Sequence, residues 1–214
     1  MSRLALSLSL CVALVLSPAL ALGQGKVPVR PVLVAWSGHM PLLSFDTRDF
    51  ITRDVEKKLK SGLPQRIVTR VYAYRDKGER PITAAVSSCR VVYDLWEDVF
   101  RVQRSTAARD KSHLARSVRQ VGDLCLDVKK LALGGPATFD RHRGKRIYFA
   151  ALVELNPLSP DTVQRIRRWL SRSGGDELQG DAFFGSFVSI FVSRRMGSAE
   201  RTMTFRSRTL NVPR

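Results

Sequence analysis

The chain has 214 residues, with 36 Lys and Arg against 19 Asp and Glu, a formal charge of +17. That length suits one well-cored domain, and the charge favours anionic partners: nucleic acid, acidic lipid, lipopolysaccharide or cell-wall polymers. Three cysteines and three scattered histidines show no metal-ligand spacing, which argues against a metal centre.

The N-terminus, "MSRLALSLSLCVALVLSPALALGQG", places Arg3 before an apolar run from Leu4 to Leu16. Pro18 breaks the run and small residues follow, so 1–23 reads as a secretory signal peptide. The alternative is an uncleaved inner-membrane anchor, but the run falls short of the roughly 20 residues that span a bilayer. No later stretch is long enough to cross a membrane. The expected location is periplasmic or secreted. Export leaves Cys89 and Cys125 as an even pair, which invites a disulfide; closing a loop of about 37 residues contributes on the order of 3–4 kcal/mol in the chain-entropy model. The alternative is two buried free thiols.

Residues 24–41, rich in Pro and Val, read as an extended linker running into an edge strand, and 42–214 as a single α+β domain. "LLSFD" (42–46) is a first strand or its tail. Asp46 or Thr47 can cap a helix through about Leu59, stopped by Gly62 and Pro64. "QRIVTRVYAYRDKG" (65–78) alternates as a strand, with Ile67, Thr69, Val71 and Ala73 on one side. "ITAAVSSCRVVYDLW" follows, with Cys89, Val91, Tyr93 and Leu95 sharing a face opposite Arg90, Val92, Asp94 and Trp96. "DVFRVQRS" is the next strand, so Glu97-Asp98 marks either a tight hairpin or a bulge in one long strand.

Residues 112–133 read as a helix, with Leu114, Val118, Val121, Leu124 or Cys125, Val128 and Leu131 at helical spacing, placing Cys125 on or beside the core face, where a strand cysteine could reach it. "KRIYFAALVELNPLS" is a strand. "PDTVQRIRRWLSR" is a helix with Pro160 in its first turn. For 182–197 the β-branched content suits a strand, whereas Ser186, Ser189 and Ser193 at helical spacing favour a helix. "RTMTFRSRT" closes the domain. The sum is α+β: one antiparallel sheet of about five strands with three to four helices packed mainly on one face.

No G-x-S-x-G elbow, phosphate-cradling glycine loop or H-E-x-x-H occurs, and no cofactor is implied. His142 beside Asp140 could be written as a base and its orienter, though adjacent loop residues do this by chance. Asp94, Glu97 and Asp98 could form a carboxylate pair or cation site; adjacent acids on a strand point to opposite faces, so a solvated turn is the plainer reading. Aromatics interleaved with arginines (Tyr72, Tyr74, Tyr93, Trp96) resemble a stacking surface for single strands, but export argues against nucleic acid. The candidate binding residues are therefore basic: Arg141, Arg143, Lys145 and Arg146 in "RHRGKR", and Arg194 and Arg195 beside the Phe-rich segment 183–191.

The order of motifs resembles an exported proteobacterial family known only as a domain of unknown function. The resemblance rests on Gly62-Leu63-Pro64 before a strand, on Tyr93 with Phe100-Arg101-Val102, and on Glu154 after aliphatics, over about residues 43–170. It departs after Leu170, and "RVYAYRDKG" stands where the family has an Arg-Trp-Tyr-Trp-like stretch. The resemblance implies an envelope location and no activity. The expected function is that of an exported, non-enzymatic envelope protein binding another envelope component. The alternatives are a cationic protein of the membrane surface and a periplasmic hydrolase.

Overall fold

A computed structural model describes residues 27–107, 109–157 and 199–214. Among them the chain forms ten strands in two antiparallel sheets and only two short α-helices. The strands are β1 (Leu33–Ser37), β2 (Met40–Asp46), β3 (Gln65–Arg75), β4 (Pro81–Asp94), β5 (Val99–Thr106), β6 (Asp110–Ala115), β7 (Asp127–Ala132), β8 (Arg146–Leu155), β9 (Arg201–Arg206) and β10 (Leu210–Asn211). The helices are α1 (Arg53–Leu59) and α2 (Val118–Cys125). The protein is thus mainly sheet, which corrects the α+β expectation of about five strands with three to four helices. The signal peptide read at 1–23 and the helices read at 160–172 and 182–197 lie outside the described residues.

The large sheet runs β10-β8-β3-β4-β5-β6, and β9 pairs with β8 further along the edge that β10 occupies. β1, β2 and β7 form the small sheet. The stretch read as a linker therefore contains all of β1 and the first residues of β2. Alternation along β3 sends Ile67, Thr69, Val71 and Ala73 inward, each at most 1 % exposed. Their partners Cys89 on β4 and Phe149, Ala151, Val153 and Leu155 on β8 share that face. The helices and the small sheet divide it. Val55 and Leu59 of α1 and Val121 and Cys125 of α2 pack over Ile67, Cys89, Val91 and Phe100. Leu43, Phe45 and Val128 of the small sheet pack over Val71, Phe149 and Phe205, with the Phe45 and Phe205 rings edge to face at 5.4 Å.

The largest departure is at 112–133, where one long helix was expected. The chain instead makes β6, two turns of α2, and β7. Leu114, counted on the helical core stripe, points to solvent at 66 % exposure, while Ala115 beside it is buried. An eight-residue helix has little stability of its own. The open edges of β5 and β2 offer the flanking segments full ladders, Phe100 opposite Ala115 and Phe45 opposite Val128. Tertiary pairing thus overrides a periodicity that was correct only for Val118, Val121 and Cys125. α2 starts where Ser117 accepts from the Gln120 N–H (3.2 Å) and the Gln120 side chain accepts from the Arg116 N–H (2.6 Å), a relative of the capping box.

α1 also starts later than expected. Thr52, not Asp46 or Thr47, is its N-cap. Thr47 is buried and its hydroxyl donates to the Leu126 carbonyl (2.9 Å), tying the end of β2 to the end of α2. Gly62 follows α1 with φ +77°, the left-handed conformation that glycine adopts without a Cβ clash.

Candidate functional site

The basic residues of "RHRGKR" sit at one end of the large sheet, on a scaffold knitted from several chain segments. Arg141 and His142 belong to a 3-10 turn, Asp140–His142, held by the His142 N–H donating to the Phe139 carbonyl (2.8 Å), with the Phe139 side chain fully buried beneath. Gly144 takes φ +68° and donates to the Val212 carbonyl (3.0 Å), and Val212 donates back to the Lys145 carbonyl (3.0 Å). The Asp76 N–H donates to the Arg146 carbonyl (2.9 Å), which brings in the β3–β4 turn. The C-terminal Arg214 comes alongside Gly144: a Cβ built there would lie 3.8 Å from its side chain.

Charges at this end are unevenly matched. Arg143 pairs with Asp140 (3.1 Å) and Arg146 with Asp76 (3.4 Å). Arg75, Arg141 and Lys145 have no ion pair among the described residues, and these three surround His142. Burial, and then the charges of Lys145, Arg75 and Arg141, push the His142 imidazole below its ordinary pKa. Its buried Nδ1 has no hydrogen-bond partner among the described residues. The structure thus unites the sequence-read Arg141, Arg143, Lys145 and Arg146 in one patch and adds Arg75 and Arg214. Arg194 and Arg195 lie outside the described residues.

The catalytic readings are not assembled. The Asp140 carboxylate meets His39 Nδ1 (3.0 Å) and Arg143, not His142. Asp94 and Glu97 converge on Arg101 at 3.1 and 2.6 Å, while Asp98 accepts from the Tyr93 hydroxyl. Among the described residues, no group of three or more His, Cys, Asp or Glu is placed to hold a metal ion. No helix of the described residues is long and apolar enough to cross a membrane.

At the opposite end of the sheet the chain takes the first of the two alternatives read at Glu97-Asp98. β4 and β5 meet in a tight hairpin, with Asp94 opposite Val99 and residues 95–98 as its loop. Leu95 and Trp96, read as the last residues of a strand, are the apex of that loop. Trp96 is 97 % exposed. The sequence does hold a signal: Asp94 ahead of Leu-Trp, with Glu97-Asp98 after it, is a turn composition.

The Cys89 and Cys125 side chains meet at disulfide distance, with Cα atoms 5.8 Å apart. Comparison of the chain with protein-family models, curated proteins and solved structures finds no match.

Proposed function

We propose that the protein is an exported, non-enzymatic binding protein that engages an anionic component of the cell envelope through the basic end of its large sheet. One observation carries this reading: two chain segments, the end of β3 and the stretch before β8, bring Arg75, Arg141 and Lys145 within electrostatic reach of His142, and none of the three has an ion pair among the described residues. Clustered cations of this kind raise the local concentration of an anionic partner and are screened by salt. Export is supported by the N-terminal sequence and by a cysteine pair that suits an oxidising compartment.

The test is co-sedimentation of the mature protein with phosphatidylglycerol vesicles, with lipopolysaccharide, and with phosphatidylcholine vesicles as a neutral control. Binding to one of the anionic probes, weakened by salt and lost in the double variant Arg141→Glu, Lys145→Glu, supports the reading. A double variant that binds as well as wild type would show that the scattered positive charge, not this patch, is responsible.

A further inference from the structure

The β4–β5 hairpin tip exposes an apolar group on a fixed loop. Trp96 is 97 % exposed, and Leu95 and Leu63 are each 66 % exposed. They belong to two segments that meet: Leu95 lies over Gly62, where an added Cβ would come within 3.2 Å of Leu95 Cδ1, and Leu63 and Trp96 are the next residues of each segment. Single exposed leucines are ordinary on a protein surface, but a fully exposed indole next to two exposed leucines at one end of the sheet is not. Tryptophan is also the side chain most enriched among residues that dominate binding energy at interfaces.

The loop is ordered without the help of a partner. Asp94 Oδ1 accepts from the Trp96 N–H (3.0 Å) and the Glu97 N–H (3.2 Å). Asp94 Oδ2 accepts from Arg101 Nε (3.2 Å) and Nη2 (3.1 Å), and Arg101 Nη2 also donates to Glu97 (2.6 Å). Asp98 adopts φ +51°, a conformation Asp tolerates better than most residues, and accepts from the Tyr93 hydroxyl. Backbone and rim are therefore set in advance, which removes part of the ordering cost of association.

Charge identifies the occupant. In a chain of +17, this loop carries three acids, Asp94, Glu97 and Asp98, against one arginine, Arg101. An anionic bilayer would repel that rim; tryptophans that anchor to acidic lipid act beside Lys and Arg. The cleft of about 470 Å³ that adjoins the loop is of mixed charge, Asp98 and Glu56 lining it with Lys60, Arg116 and Arg119. We infer that Trp96 and Leu95, with Leu63, insert into an apolar pocket of a second protein whose rim carries Lys or Arg facing Glu97 and Asp98. This surface is independent of the basic end and stands or falls without it.

The experiment places a photo-reactive benzoylphenylalanine at position 96 of the full chain, expressed in its native host. Control proteins carry it at Val86 and Leu114, which are 48 % and 66 % exposed elsewhere on the sheet. The expected result is one discrete protein adduct from position 96, absent at both controls and mapping to an apolar pocket bordered by Lys or Arg. Titration of that purified partner then shows at least a tenfold loss of affinity for Trp96→Ala, and a smaller, salt-sensitive loss for Glu97→Lys. Both variants are to melt with wild-type protein, as exposed positions allow. An adduct to lipid, to a second copy or to another part of the same chain overturns the inference. So does the absence of any adduct, or equal affinity of wild type and Trp96→Ala.

Discussion

Cys89, in the second half of β4, faces Cys125 in the last turn of α2, with Cα atoms 5.8 Å apart and both side chains buried. Their oxidation links the helix layer to the centre of the large sheet. The mature protein is expected to show no maleimide-reactive thiol when unfolded without reductant. Because a bridge over 36 residues of separation restricts the unfolded chain, the paired change Cys89→Ala, Cys125→Ala is expected to cost about 3–4 kcal/mol in urea denaturation. Two labelled thiols in the exported protein would contradict this.

Arg70 on β3 and Glu154 on β8 form an ion pair on the face of the large sheet opposite the helices. Glu154 retains only 10 % side-chain exposure and Arg70 27 %. Removing one partner strands a charge that has already lost much of its water, so Glu154→Leu is expected to cost about 3 kcal/mol. Replacing both, Arg70→Met with Glu154→Leu, is expected to recover most of that loss, since nothing is left unpaired. A double-mutant cycle in urea decides it. A double variant as unstable as the single one would mean that Glu154 acts through packing and not through Arg70.

What could be read in advance was local. Alternation placed Ile67, Thr69, Val71 and Ala73 on the buried face of β3, and put Cys89 and Val91 on the matching face of β4. The stop at Gly62 is a property of one residue and its backbone. What could not be read depends on pairing between distant segments. β6 and β7 exist because β5 and β2 offer open edges, and no window within 112–133 contains that information. The basic site shows the same division. "RHRGKR" is visible as a run, whereas Arg75 joins it only because β3 pairs with β8, setting Arg75 opposite Ile147. Trp96 was misplaced for a smaller reason: ending β4 two residues late turns a loop apex into a strand position.

Asp94 organises the hairpin tip, and its loss should show in dynamics before it shows in global stability. The backbone N–H of Glu97, then Arg101, then the backbone N–H of Trp96 hold its carboxyl below the ordinary value of 3.8. A lowered carboxylate pKa contributes order that is complete above 3.8 and is lost as pH falls through the lower folded value. Asp94→Ala is therefore expected to speed hydrogen exchange at the Trp96 and Glu97 amides at neutral pH, leaving β3 and β8 protected. Wild type should behave likewise only in strong acid. Unchanged exchange at both amides in Asp94→Ala would show that the loop is fixed by its backbone alone.

His142 gives the basic end a pH dependence of definite sign. Burial and the neighbouring Lys145, Arg75 and Arg141 lower its pKa below the ordinary 6.5, so the unfolded chain takes up this proton at a higher pH than the folded protein. Its contribution to stability is therefore complete above 6.5 and declines as pH falls from 6.5 toward the lower folded value. His142→Gln is expected to remove that part of the slope, so that the difference between wild type and variant changes as pH falls below 6.5 and levels off below the folded value. An anion bound at Arg141 and Lys145 cancels part of the field that disfavours the imidazolium. Saturating anionic vesicles or lipopolysaccharide, whichever binds, should then raise the His142 pKa and draw protons onto the protein. NMR titration of the imidazole with and without that probe measures both. A His142 pKa unmoved by a probe that binds would place the bound anion away from this histidine.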